Sequence, residues 1–379
     1  MPIRSRDDHL FGPGPKRVLA LDGGGVRGII SLAYLERLEA MLRERFEPDA
    51  VLSDHFDLIG GTSTGAIIAT GLALGMTVEN LIAMYLRLSR LGFRRNAWRT
   101  FLGPKFRAAP LLQQIQDQVG DQTLGSDNIR TGLAIVAKRI DTGSVWVFHN
   151  NPRGPWFDPA ARDPAAVPNK DLLLTRLLRA STAAPTYFAP EHVEVARGIS
   201  GTFVDGGVSP HNNPALLLFL LATLEGYGFR WPTGAERLML ISVGTGHHPM
   251  TKERLPGDNA PAALMAVQAL RSVLDDCSML AQTMLQFLGT SPAPHMIDSE
   301  IGDLARDQLG VEPALSYLRY NVEFSPQWFE RELGVAITSR ETEELTRMDN
   351  PAIVPRLLEF ARIAADRQIQ TGHFAAIFA

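Results

Sequence analysis

Ser63 stands between two glycines at the point where an extended-favouring run gives way to a helix-favouring one. Residues 56–59, Phe-Asp-Leu-Ile, are a short apolar run of the kind a buried strand takes. Residues 66–74 have no proline, and Gly71 is their only glycine, which suits a helix packed beneath the turn. The turn between them, Gly61-Thr62-Ser63-Thr64-Gly65, must therefore be sharp. A strand-to-helix turn of this kind exposes a serine Oγ and points the positive end of the following helix at it, and glycines on either side let the backbone approach closely. This nucleophile elbow belongs to α/β architecture, although a lone Gly-x-Ser-x-Gly also arises by chance and many serines only cap helices.

The rest of the chain repeats the strand, loop, helix order. Residues 18–21 form an apolar run that ends at Asp22-Gly23-Gly24-Gly25, and 29–46 carry apolar residues at helical spacing. Residues 133–137 and 145–148, joined by Asp141-Thr142-Gly143, read as two strands and a turn, and 238–243 as another buried strand. Strands alternating with helices predict a mainly parallel sheet covered on both faces. A proline-rich loop over 150–168 precedes a helix at 172–180. The aliphatic run 215–224 reads as a buried helix opened by Pro214, since it has about half of the roughly 20 residues that cross a bilayer. From about residue 261 apolar residues recur every three or four positions to Leu288, and 353–369 is again amphipathic. The expected division is a polar leader over 1–15, a catalytic domain over 16–250 and a mainly helical extension over 251–379 packed on it.

A net charge of −4 gives no global attraction to nucleic acid, so an anionic partner would have to meet a local patch. The single cysteine, Cys277, excludes an internal disulfide framework and reads as a buried filler within a helix. Residues 1–16 are polar and lack the apolar stretch of a signal peptide, which sets the expectation of a cytoplasmic protein.

A nucleophilic serine needs an oxyanion site and a base. The loop Asp22-Gly-Gly-Gly-Val-Arg-Gly28 follows a strand and opens a helix, so the backbone N–H groups of Gly23, Gly24 and Gly25 can converge on a developing negative charge. Arg27 either anchors this loop or meets a phosphate. The same glycines satisfy a dinucleotide fingerprint, but the acidic residue expected about 20 positions on is missing at the end of the next strand, where the serine turn sits. For the base, Asp205 follows a short apolar segment and precedes Gly206 and Gly207. A carboxylate beside Oγ can take its proton and return it to the leaving alcohol, though Asp-Gly-Gly is also a common turn. His247 or His248, after the 238–243 strand, would instead complete a Ser-Asp-His triad as in a generic esterase.

Taken together in this order, Asp22-Gly-Gly-Gly-Val-Arg-Gly28, Gly61-Thr-Ser-Thr-Gly65 and Asp205-Gly-Gly207, with Ala183-Ala-Pro-Thr-Tyr-Phe188 ahead of the last, resemble the patatin-like phospholipase family. The resemblance spans about residues 17–246. It implies a three-layer α/β/α fold and a dyad in which Ser63 attacks an ester carbonyl and Asp205 activates it, with no metal or other cofactor. It also implies phospholipase A-type hydrolysis of membrane phospholipids through an acyl-enzyme, at the membrane surface. Gly28, Gly61, Gly65, Gly206 and Gly207 are then supporting residues. Because bacterial members include signal-activated effectors, gating by an anionic cyclic nucleotide is the alternative.

One further segment carries a functional expectation. No acidic residue occurs between Glu79 and Asp117, while Arg94, Arg95 and Arg99 are interleaved with Trp98 and other aromatics. Such a mixture suits an anionic membrane surface or an anionic regulator, and equally a solvated helix face.

Overall fold

The computed structural model describes residues 4–92, 108–249, 262–307 and 309–374. Its centre is an eight-stranded sheet in which β5 (Glu191–Ala196), β6 (Ile199–Asp205), β3 (Gly132–Arg139), β2 (Leu58–Thr62), β1 (Lys16–Leu21), β7 (Leu238–Val243) and β8 (Ser316–Tyr320) follow one another, with β4 (Ser144–His149) also paired to β3. The run from β3 through β2, β1 and β7 to β8 is parallel, whereas β4, β5 and β6 join antiparallel. Both faces are buried, and alternate residues serve different layers, as the period of two in a strand requires. Leu19, Leu21, Ile59 and Ile241 pack toward α2 (Gly28–Arg45), α4 (Thr64–Ala73), α7 (Leu174–Ser181) and α12 (Val354–Gln368). Val18, Ala20, Leu58 and Leu240 pack toward α8 (Ala215–Thr223) and the end of α9 (Ala262–Leu288). The architecture is the expected mixed α/β fold with helices on both sides of the sheet.

Two segments hold structure that the sequence reading did not include. The polar leader contains α1 (Arg6–Phe11), capped by Ser5 and docked on the sheet, with His9 and Leu10 buried. His9 Nδ1 lies 3.0 Å from Asp57 Oδ1, and Trp231 Nε1 donates to Leu10 O at 2.9 Å. Amphipathic sequence this short gives little periodicity to read, so its docking was not visible beforehand. The C-terminal third is largely helical, but it also supplies β8, which extends the central sheet beyond β7. In β8, Ser316-Tyr-Leu-Arg-Tyr320, the arginine near the end leaves too short an apolar run to mark a buried strand. Cys277 is only partly buried, because it lies on α9 between Val273 and Leu280, which are exposed.

The register around β3 brings the distant segments together. Thr62 at the end of β2 lies opposite Val136, and Asp205 at the end of β6 lies opposite Ala137. With β4 along its other edge, β3 has β2 and β6 sharing one edge, running toward each other and ending one residue apart. The residue after Thr62 is Ser63.

Candidate active site

Ser63 has φ 54° and ψ −122°, a left-handed backbone that a residue with a Cβ enters at a cost of order 1–3 kcal/mol. Close packing imposes it. A Cβ on Gly65 would collide with the carbonyl oxygen of Leu21, and one on Gly61 with the carbonyl of Gly65, so α4 starts directly against β1 and β2. Ser63 occupies the N-cap position of α4 but its side chain makes no capping bond. Its Oγ instead donates to Asp205 Oδ2 at 2.5 Å. The Ser63 N–H donates to Ser181 Oγ at 2.9 Å, and Ser181 Oγ donates onward to Val136 O at 2.6 Å, which ties the elbow to β3 through α7.

Asp205 is nearly inaccessible. Burial pushes its pKa up to about 6, against the opposing effects of the Ser63 hydroxyl, the Gly207 N–H and the Arg179 guanidinium. Its second oxygen, Oδ1, accepts from Gly207 N at 2.7 Å, so the Asp-Gly-Gly turn orients the carboxylate with one oxygen held and the other on Ser63. Gly206 continues the same tight turn.

The glycine loop lies beside the elbow, and a Cβ on Gly23 would come within 3.3 Å of the Ser63 Cβ. Gly25, at φ 58°, lets the chain turn into the short 3-10 helix Gly25–Arg27 and then into α2, which Gly28 begins. The three glycines are not equivalent. Gly23 N donates to Asn212 O at 3.0 Å, and its carbonyl accepts from Thr245 Oγ1 at 2.7 Å. Gly24 and Gly25 N–H have no protein acceptor among the described residues, as the first donors of a helix usually do not, and both residues line the cavity that contains Ser63. Thr64 Oγ1 at 3.0 Å and the Tyr85 hydroxyl both donate to Gly25 O, which fixes that peptide's orientation. Of the expected oxyanion trio, Gly24 and Gly25 therefore keep the available donors, and Gly23 is engaged elsewhere. Arg27 is buried with its guanidinium 5.7 Å from the Phe324 ring centre, on the wall of the same cavity.

That cavity holds about 1450 Å³. Its lining includes the apolar Ile67, Tyr187 and Phe188, together with residues of α9 and of the C-terminal third, among them Met279, Trp328 and Met348. His247 and His248 reach the cavity too. His247 N donates to Val322 O, and His248 Nδ1 is 3.1 Å from Phe324 O. Neither ring stands between Ser63 and Asp205, whose side chains meet directly. Arg94, Arg95, Trp98 and Arg99 lie outside the described residues.

Sequence reasoning missed Ser181, Asn212, Thr245, Met348 and Arg319. Only the Gly244-Thr245-Gly246 run after β7 carried a readable signal, a turn after a buried strand.

The model of the patatin-like phospholipase family matches residues 19–219. A cGAMP-activated phospholipase of Escherichia coli (strain TW11681) is 33% identical over 235 residues, which is 60% of this chain and 62% of that protein. Patatin-15 of Solanum tuberosum is 28% identical over 246 residues, 60% of each chain. The chain thus spans about three fifths of the length of these curated relatives. Among solved structures, human GIVD cytosolic phospholipase A2 matches 96% of this chain and 60% of its own, with 12% identity and a TM-score of 0.36.

Proposed function

The chain belongs to the patatin-like phospholipase family, and from that premise we propose that it is a phospholipase A-type acyl hydrolase working through a Ser63-Asp205 dyad. The observation that carries the reading is the 2.5 Å hydrogen bond from Ser63 Oγ to a buried carboxylate at the meeting point of β2 and β6. Asp205 takes the Ser63 proton as Oγ attacks the ester carbonyl carbon. The oxyanion that forms is stabilised by Gly24 and Gly25 N–H, donors that are already oriented and cost no reorganisation. Collapse expels the alkoxide of the lysolipid, which Asp205 protonates, and leaves the acyl group on Ser63. Asp205 then deprotonates a water that attacks the acyl-enzyme, releasing a fatty acid and restoring the hydroxyl. A direct Ser-Asp contact leaves no step for His247 or His248, which disfavours the generic triad.

The substrate is a membrane phospholipid met at a bilayer surface, and no helix of the described residues is long and apolar enough to cross a membrane. Peripheral contact through Arg94, Arg95, Trp98 and Arg99 is part of this reading. An active-site fluorophosphonate followed by peptide mass spectrometry tests the nucleophile, and fatty-acid release from defined phospholipids tests the substrate. Modification at a residue other than Ser63 overturns the assignment.

A second reading, activation by a cyclic nucleotide, draws support from the 33% identity to a cGAMP-activated phospholipase. Titrating cGAMP into the lipase assay separates the two, because a constitutive enzyme gives a flat response.

A further inference from the structure

The glycine loop is anchored largely by residues that follow the family-matched segment, which ends at 219. We propose that Arg319, on β8, is a positioning residue for the hydrolysis: it fixes and neutralises Asp22, so that the loop immediately after it keeps the Gly24 and Gly25 donors on the oxyanion. This inference rests on Ser63 being the nucleophile.

Arg319 Nη1 donates to Asp22 Oδ1 at 2.9 Å and Nη2 to Asp22 Oδ2 at 2.6 Å, a two-pronged pairing in which both side chains are almost fully buried. Nη1 also donates to Ser242 Oγ at 2.6 Å. Ser242 is the β7 residue opposite Arg319 in the register, so the guanidinium reaches across β7 to the end of β1. The backbone of Asp22 is pinned as well, its N–H donating to Val243 O at 3.1 Å. The loop's far end is held by a second C-terminal group, because Val26 N donates to Met348 O at 3.0 Å. Between these two anchors lie Gly23, Gly24 and Gly25.

A buried ion pair is a poor source of stability, since apolar residues of similar volume often serve as well or better. What it supplies here is geometry and charge. The planar fork fixes both oxygens of Asp22, which a lysine cannot do. Asp22 and Arg319 line the same cavity as Ser63. An unpaired Asp22 carboxylate there would oppose a second negative charge forming on the substrate oxygen held by the neighbouring loop, at low effective dielectric. Pairing with Arg319 removes that opposition.

The test uses the full chain and four variants: Arg319→Met, Arg319→Lys, Asp22→Asn/Arg319→Met, and Ser63→Ala. Hydrolysis of a soluble p-nitrophenyl ester gives kcat and KM, a fluorophosphonate gives the rate of Ser63 modification, and circular dichroism reports folding. Arg319→Met should lower kcat and the phosphonylation rate together by about 10- to 100-fold, with KM within about twofold, because the oxyanion exists only beyond the ground state. Added guanidinium at non-denaturing concentration should restore part of the rate, and the fall in kcat with KM nearly unchanged separates positioning from a general loss of structure. Arg319→Lys should fall between, and the double variant, which removes the unpaired carboxylate but not the lost fork, should regain stability and only part of the rate. A folded Arg319→Met with kcat and phosphonylation within about twofold of the parent overturns the proposal. If Arg319→Met does not fold, Arg319→Lys decides by the same criterion. Activity surviving in Ser63→Ala would instead overturn the nucleophile, whatever the Arg319 variants do.

Discussion

Replacing Asp205 with asparagine should strengthen the fold while removing turnover, and the gain should depend on pH. Burial holds the Asp205 carboxyl at about 6, above its ordinary 3.8. The native state thus binds this proton more tightly than the unfolded chain, so the group's contribution to stability is complete below about pH 4 and is lost as pH rises through about 6. The difference between the two values corresponds to about 3 kcal/mol by which ionised Asp205 disfavours folding at pH 7.5. Asparagine never ionises. It also disturbs the bonds to Gly207 N and Ser63 Oγ, and losing the better part of one neutral hydrogen bond costs about 1 kcal/mol. The expected net gain is therefore about 2 kcal/mol at pH 7.5, shrinking to zero or below near pH 4. Urea denaturation of both proteins at several pH values between 4 and 8 measures it, and subtracting the curves cancels every other titrating group. In parallel, kcat/KM should fall about 10²- to 10⁴-fold, the usual contribution of a positioned base. A stability difference that is the same at pH 4.5 and 7.5 would refute the claim that burial raises the Asp205 pKa.

Other expectations follow from the same site. The parent's kcat/KM should fall as pH drops through about 6, where Asp205 takes up a proton, and Arg179→Met should move that limb to higher pH, since the guanidinium helps hold the carboxylate ionised. A pH–rate profile reads both. Ser63→Gly should be inactive yet more stable than Ser63→Ala by about 1 kcal/mol, because glycine accepts φ 54° without strain; thermal melts compare them. Ser181→Ala should loosen the elbow and lower kcat by about tenfold with little effect on KM, since it removes the acceptor of the Ser63 N–H. Steady-state kinetics on a soluble ester measures that loss, and an unchanged kcat would show that Ser181 does not matter to the geometry.

Much of the fold was legible along the chain because its signals are local. Apolar runs at 18–21, 133–137 and 238–243 appear as β1, β3 and β7, and the helix at 215–224 appears as α8. Strand β8 escaped because an arginine sits in it, and α1 because six residues cannot display a helical period. The candidate chemistry was legible for a related reason: glycines at 23–25, 61 and 65 and the residues around Ser63 and Asp205 mark turns that few other residues could form. That Ser63 makes no capping bond with its side chain and instead meets Asp205 became visible only with the side chains in place.

The sequence by itself determined most of the elements around the site, the sharp turn at Ser63 and the family, since each depends on residues close together in the chain. Tertiary structure decided which distant groups share the site. That β2 and β6 end one residue apart on β3 places Asp205 against Ser63 across 142 positions. That β8 lies two strands from β1 brings Arg319 to Asp22 across 297. Spacing along a chain encodes local dihedral preference, whereas the pairing of charges and donors depends on strand register and on what is excluded from water, and neither is written in any one segment.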